Sequence, residues 1–115
     1  MRKAAKRDIN EKAIIGHLRA IGCYVQPINQ EGTFDLLVGY RRKWHIIEVK
    51  NPDKLAKKKR IDGKLIERTD LQQREDMLTK DEKVFYDAVT VAGLPYHIVF
   101  STEEAQAVVC ETHTK

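Results

Sequence analysis

Ile14, Leu18 and Ile21 recur at helical spacing, with Ile15 widening the stripe, and predict a helix over residues 8–22 that Gly22 ends. The next five residues, CYVQP, read as a short strand closed by Pro27. Gly32 marks a turn, and two apolar runs follow, Phe34 to Tyr40 and Trp44 to Lys50. Only Arg41, Arg42 and Lys43 stand between them, so the pair predicts a hairpin. Asn51-Pro52 stops the second strand, because proline cannot donate to a ladder. Residues 51–78 are polar, with scattered Leu55, Ile61, Leu65, Ile66 and Leu71 and a break at Gly63, and read as a partly helical, mobile excursion. Thr79 to Glu82 is a capping box, and Val84, Phe85, Ala88 and Ala92 supply the apolar face of the helix it opens. Gly93 and Pro95 punctuate its end. Tyr96 to Phe100 predicts a strand, and Ser101 to Glu104 a second capping box with a helix running to about Val109. The order is α-β-β-β-α-β-α, which a mixed sheet flanked by helices buries most economically.

Length and composition narrow this further. The 115 residues make one small α/β domain, 1–115, too short for a second core. With 42% hydrophobic and 33% charged residues the chain reads as a globular protein, not a coiled coil or a disordered tail. No run approaches the roughly 18 apolar residues of a membrane span, and no membrane association is expected. The basic start, MRKAAKRDIN, has no apolar core behind it, so a secretory signal is not expected. Cys23 and Cys110 are too few for a disulfide framework or a zinc set, which points to a reducing cytoplasm.

Charge is unevenly spread. The net charge is +4, and DKLAKKKR at 53–60 has five bases against one acid: Lys54, Lys57, Lys58, Lys59 and Arg60. The opening MRKAAKR adds Arg2, Lys3, Lys6 and Arg7 without an acid. Such clusters favour a polyanion such as nucleic acid, although a solvated surface run gives the same composition.

The stretch FDLLVGYRRKWHIIEVKNP contains the candidate chemistry. Strand alternation puts Glu48 and Lys50 on one face with Trp44 and Ile46, and Ile47 with Val49 on the other. The Trp44 face reads as the burying one, where a carboxylate and a lysine are costly unless paired or at an opening. The hairpin returns Asp35 beside the far end of the second strand. Whether it shares the Glu48 face depends on the parity of the turn, which the sequence leaves open. If it does, two carboxylates and an ammonium converge, and two oxygen ligands plus water suit Mg²⁺.

Asp35 followed by Glu48-Val49-Lys50 resembles the D-x(n)-E-x-K core of the PD-(D/E)xK nuclease superfamily. The whole chain is similar to its small VRR-NUC and Holliday junction resolvase-like branch, often encoded by phages. Arg7-x-x-x-Glu11 on the first helix, Thr79 to Glu82 and IVFSTEEA match further elements of that branch. Phe34 stands where the motif has its proline, and Glu82 where many relatives have glutamine. The resemblance implies a restriction-endonuclease-like fold and a metal-dependent endonuclease acting on DNA, with a preference for branched or junction DNA, in a bacterial or phage-infected cytoplasm. It implies that Asp35 and Glu48 bind Mg²⁺, or Mn²⁺ in its place, with the Val49 backbone carbonyl as a third donor. Lys50 would orient or polarise the attacking water and offset charge building on the phosphate, and Glu11 would complete the acidic cluster or support a second metal.

Each reading has a plainer rival. D-x(n)-E-x-K is a short pattern that solvated strands also produce. Asp8-x-x-Glu11 is itself a capping box, whereas the row Arg7, Glu11, Ile14, Leu18, Ile21 puts Glu11 along the buried stripe. Glu82 reads as a helix cap. Trp44 and Tyr40, flanking the hairpin turn, suit either base stacking or packing. Phe85, Tyr86 and Val89 offer more apolar surface than one short helix face needs, which suggests a two-fold homodimer. The rival functions are a non-catalytic DNA-binding module on the same fold and a protein-interaction or inhibitor protein.

Overall fold

A computed structural model describes residues 9–28, 30–51, 58–61, 64–67 and 69–110. The elements run α1 (Ile9–Ala20), β1 (Tyr24–Pro27), β2 (Leu36–Tyr40), β3 (Lys43–Val49), β4 (Lys58–Ile61), β5 (Lys64–Glu67), α2 (Asp70–Glu75), α3 (Lys80–Val91), β6 (His97–Val99) and α4 (Thr102–Cys110). The fold is mixed α/β. Its main sheet has the order β1-β2-β3-β6, with β3 and β6 parallel and the other pairs antiparallel.

Helix ends follow from local chemistry. α1 and α3 both finish on a left-handed glycine, Gly22 at φ 104° and Gly93 at φ 83°. In each case the amide beyond the glycine reaches back into the last turn, Cys23 to the Leu18 carbonyl and Leu94 to that of Val89, both at 2.9 Å. Thr79 caps α3 reciprocally with Glu82, as the sequence predicts. Pro27 lies in β1, which is an edge strand and tolerates the missing donor.

The core lies on one face of the sheet. Val25, Leu36, Val38, Ile47, Val49 and Val99 meet Ile14 and Leu18 of α1 and Ala105 and Val109 of α4. This reverses the expected burying face of β3: Ile47 and Val49 point into the core, while Trp44, on the Glu48 face, is exposed. Helices α1 and α4 pack on the Ile47 side. Strand alternation alone does not reveal which side they take.

The excursion also differs from its reading. Residues 58–61 and 64–67 form a two-stranded antiparallel hairpin with Ile61 opposite Lys64. The Asp62-Gly63 dipeptide between the strands is a strong hairpin signal in the sequence. Lys58, Lys59 and Arg60 of the basic run therefore lie on a strand; Lys54 and Lys57 lie outside the described residues. Helix α2 is opened by a capping box of Thr69 and Gln72. Arg74 ties it to the sheet, donating to the Ile98 carbonyl at 2.7 Å and to both Glu104 oxygens at 2.8 and 2.9 Å. Its guanidinium also lies over the Phe100 ring, 4.2 Å from the centroid. The Glu104 amide donates to the Ser101 hydroxyl at 3.2 Å, but the Glu104 carboxylate accepts from the Phe100 amide at 2.8 Å rather than completing a box.

An aromatic cluster holds α3 beside the start of β2. Phe34 stacks on Phe85 at 5.7 Å, and Tyr96 meets Phe85 at 5.9 Å and Tyr86 at 5.2 Å. Phe85 and Tyr86, expected at a dimer interface, are engaged within the chain, and the exposed large hydrophobic residues of α3 are Val84 and Val91. Among the described residues, no helix is long and apolar enough to cross a membrane.

Candidate active site

The β2–β3 turn decides the geometry. Tyr40 pairs with Lys43 across two residues, Arg41 at φ 50° and Arg42 at φ 72°, the backbone of a type I′ hairpin. From there the register runs to Leu36 opposite Ile47, and the Asp35 amide donates to the Ile47 carbonyl at 3.2 Å. The ladder ends there, so Asp35 lies just outside β2 with its amide still tied to β3. Proximity answers what the parity of the turn left open: the Asp35 carboxylate reaches the Val49 amide, and its charge acts on the Glu48 carboxyl.

The side chains are fixed from several directions. The Val49 amide donates to Asp35 Oδ2 at 2.7 Å, so the described main-chain contribution of Val49 is its N–H. Lys50 Nζ lies 3.2 Å from Glu48 Oε2 and 2.9 Å from Glu82 Oε1. Glu82 therefore does two jobs, since the same oxygen accepts from the Thr79 amide at 3.0 Å. Tyr96 borders the group and donates its hydroxyl to the Thr33 carbonyl at 2.8 Å. Glu11 is buried on the first turn of α1. Beside it Asn10 donates to the Lys50 carbonyl at 3.0 Å and the Phe100 carbonyl at 3.3 Å, which ties that turn to the end of β3.

Electrostatics mark Glu48 as the unusual member. It is 2% exposed, and its Oε1 is buried without a hydrogen-bond partner. Burial, then the charges of Asp35 and Glu82, push its carboxyl up to about 9 against the pull of Lys50. Burial works to lower the Lys50 ammonium, but the hydrogen bond to Glu82 and the charges of Glu48 and Glu82 outweigh it and raise the pKa. Lys50 is consequently a fixed cation rather than a proton donor. Burial favours the neutral form of Glu82, yet its bonds to Lys50 and Thr79 hold it below its ordinary value. Tyr96 is raised far above the phenol range, first by burial and then by the Glu48, Glu82 and Asp35 charges.

One ammonium thus faces two carboxyl groups, Glu48 and Glu82, and the Asp35 charge acts on Glu48 from beyond them. Among the described residues no three His, Cys, Asp or Glu side chains are arranged to hold a metal by themselves. The donors present nevertheless fit a hard cation that keeps part of its hydration. They are carboxylate oxygens in charge excess, one of them buried without a partner.

Sequence reasoning brought Asp35, Glu48 and Lys50 together but took Glu82 only as a cap and passed over Tyr96. The N3 position of the capping box was the available signal for Glu82, since it fixes a carboxylate at a helix start. The chain matches no protein-family description, no curated protein and no solved structure.

Proposed function

We propose that the protein is a Mg²⁺-dependent endonuclease of the restriction-endonuclease-like type that hydrolyses phosphodiester bonds in DNA. The observation that carries this is the convergence of Asp35, Glu48 and Lys50 at the end of β3. Asp35, Glu48 and the Val49 carbonyl would hold the cation, with Mn²⁺ able to replace it. When bound, the cation lowers the pKa of water and offsets charge on the phosphate.

The chain's own residues supply the rest. The Val49 amide fixes the Asp35 carboxylate in direction. Lys50 stays protonated and places a positive charge where negative charge develops on the phosphate, an electrostatic contribution to the barrier. Glu82 positions that ammonium. Glu11 supports the acidic cluster from α1. The basic run Lys54, Lys57, Lys58, Lys59 and Arg60 follows Lys50 closely in the chain and would meet flanking phosphates. On this reading the protein is a two-fold homodimer selective for branched DNA, with exposed Val84 and Val91 as the apolar surface on α3.

Incubation with plasmid and branched DNA, in Mg²⁺ and in EDTA, tests the reading. Cleavage that appears only with the metal supports it. Binding without cleavage would leave a DNA-binding module, and neither would leave a protein-interaction role.

A further inference from the structure

We propose that the exposed end of the sheet face at Trp44, which leads toward the buried Glu48, is a track for an unpaired nucleic-acid strand, on which Trp44, braced by the edge-on Tyr24, stacks a base while the Arg41-Arg42-Lys43 turn holds its phosphates. The proposal rests on the nuclease reading for what lies at the far end of the track.

Two large rings lie outside the core on this face. Trp44 is 63% and Tyr24 57% exposed, and they meet edge to face at 6.2 Å and 88°. The register places Tyr24, Gly39 and Trp44 on one rung. Gly39 is the floor of the platform: a Cβ there would come within 3.0 Å of the Trp44 ring. The indole lies against bare backbone, which holds it in place while most of its surface stays open.

The turn adds a second observation. A type I′ hairpin favours asparagine and glycine, because both central residues need positive φ. Here both are arginine. Backbone held in a disfavoured region where simpler residues would suffice points to a role outside folding. With Lys43 they make three consecutive exposed cations next to the ring pair. Aromatic platforms bordered by cations suit single strands, whose bases are free to stack while the backbone meets the charges. A duplex keeps its bases inside.

The track also has the right direction. Strand alternation runs Trp44, Ile46, Glu48 along one face, with Gly39 and Leu37 opposite the first two and Asp35 just past the end of β2. Four residues of β3 span about 13 Å, or roughly four stacked nucleotide steps at about 3.4 Å each. A base seated on Trp44 thus leaves a short stretch of strand to reach the carboxylates.

Trp44 is the only tryptophan in the chain, so its emission reports the event directly. The full chain is titrated with a short oligothymidylate in low salt and EDTA, where no metal chemistry intervenes. Saturable quenching is expected, with little change from a blunt duplex of equal length. In anisotropy measurements on the labelled oligonucleotide, Trp44→Ala should weaken binding about tenfold, and Trp44→Phe should recover most of it. Arg41→Asn with Arg42→Gly should raise the melting temperature yet weaken binding and flatten its salt dependence by about 0.7 per lost phosphate contact. Equal quenching by duplex, unchanged binding of Trp44→Ala, or no binding at all would overturn the track. A catalytically inert protein that still shows Trp44 quenching would sink the nuclease reading alone, and a cleaving protein indifferent to Trp44 would sink only the track.

Discussion

Lys50 Nζ and Glu82 Oε1 meet at 2.9 Å, joining the end of β3 to the first turn of α3 across 32 positions of chain. The contact couples the helix cap to the ammonium of the candidate site. Gln at 82 keeps a side-chain acceptor for the Thr79 amide but removes the charge that anchors Lys50. Glu82→Gln should therefore leave the melting temperature nearly unchanged and slow cleavage about tenfold, a barrier change of about 1.4 kcal/mol. Glu82→Ala should in addition lose about 1 kcal/mol of stability with the capping box. Wild-type cleavage by Glu82→Gln would leave Glu82 a cap and nothing more.

Glu48 makes metal-free stability depend on pH. Its ordinary value is 4.5, and the fold raises it to about 9. Between those values the folded chain keeps a proton that the unfolded chain has released. The group's contribution is full below about 4.5 and is lost as pH rises to about 9. Lys50 is shifted upward from 10.5 and Glu82 downward from 4.5, so neither titrates inside that window. In EDTA the melting temperature should fall from about pH 6 to pH 9, and Glu48→Gln should flatten that fall. An equal slope in the variant would assign the pH dependence to other groups.

The site was legible where short-range rules apply. Alternation paired Glu48 with Lys50, and the tight turn returned Asp35 beside them; the turn residues Arg41 and Arg42 do not by themselves signal type I′, so parity had to come from the structure. The burying face was misjudged because it depends on which side α1 and α4 take. Lys50 with Glu82, and Arg74 with Glu104, are long-range pairs that no local pattern announces. The β4–β5 hairpin, by contrast, was announced by Asp62-Gly63 and obscured by its lysines, which read as a solvated run.

Arg74 is the main tie between α2 and the rest of the fold. It donates to Ile98, Glu104 and Asp70 while its plane covers Phe100. Arg74→Ala should cost about 2–3 kcal/mol in urea unfolding, since the Ile98 carbonyl and Glu104 lose charged donors. Arg74→Lys should recover little, because an ammonium cannot reproduce the fork or the stacked plane. Full recovery by lysine would reduce the role to simple charge.

On the proposed reading, Lys57, Lys58 and Lys59 act on DNA affinity rather than on chemistry. Each phosphate contact adds about 0.9 to the slope of log affinity against log salt. The triple alanine variant should flatten that slope by about two to three units on every DNA sequence. Its cleavage rate at saturating DNA should change little. An unchanged slope would move the DNA path to Arg2, Lys3, Lys6 and Arg7.

The central claim is that Asp35, Glu48 and Lys50 are the machinery of metal-dependent phosphodiester hydrolysis. Its most direct test is the single-turnover cleavage rate of DNA in Mg²⁺ for the wild type, Glu48→Gln and Lys50→Ala, with fold and DNA affinity checked in parallel. The account predicts a wild-type rate that EDTA abolishes. It also predicts variants slower by about a hundredfold or more, near 3 kcal/mol of barrier, that still fold and bind DNA. A folded wild type that cleaves no DNA in Mg²⁺ or Mn²⁺, or a variant that cuts at the wild-type rate, would contradict it.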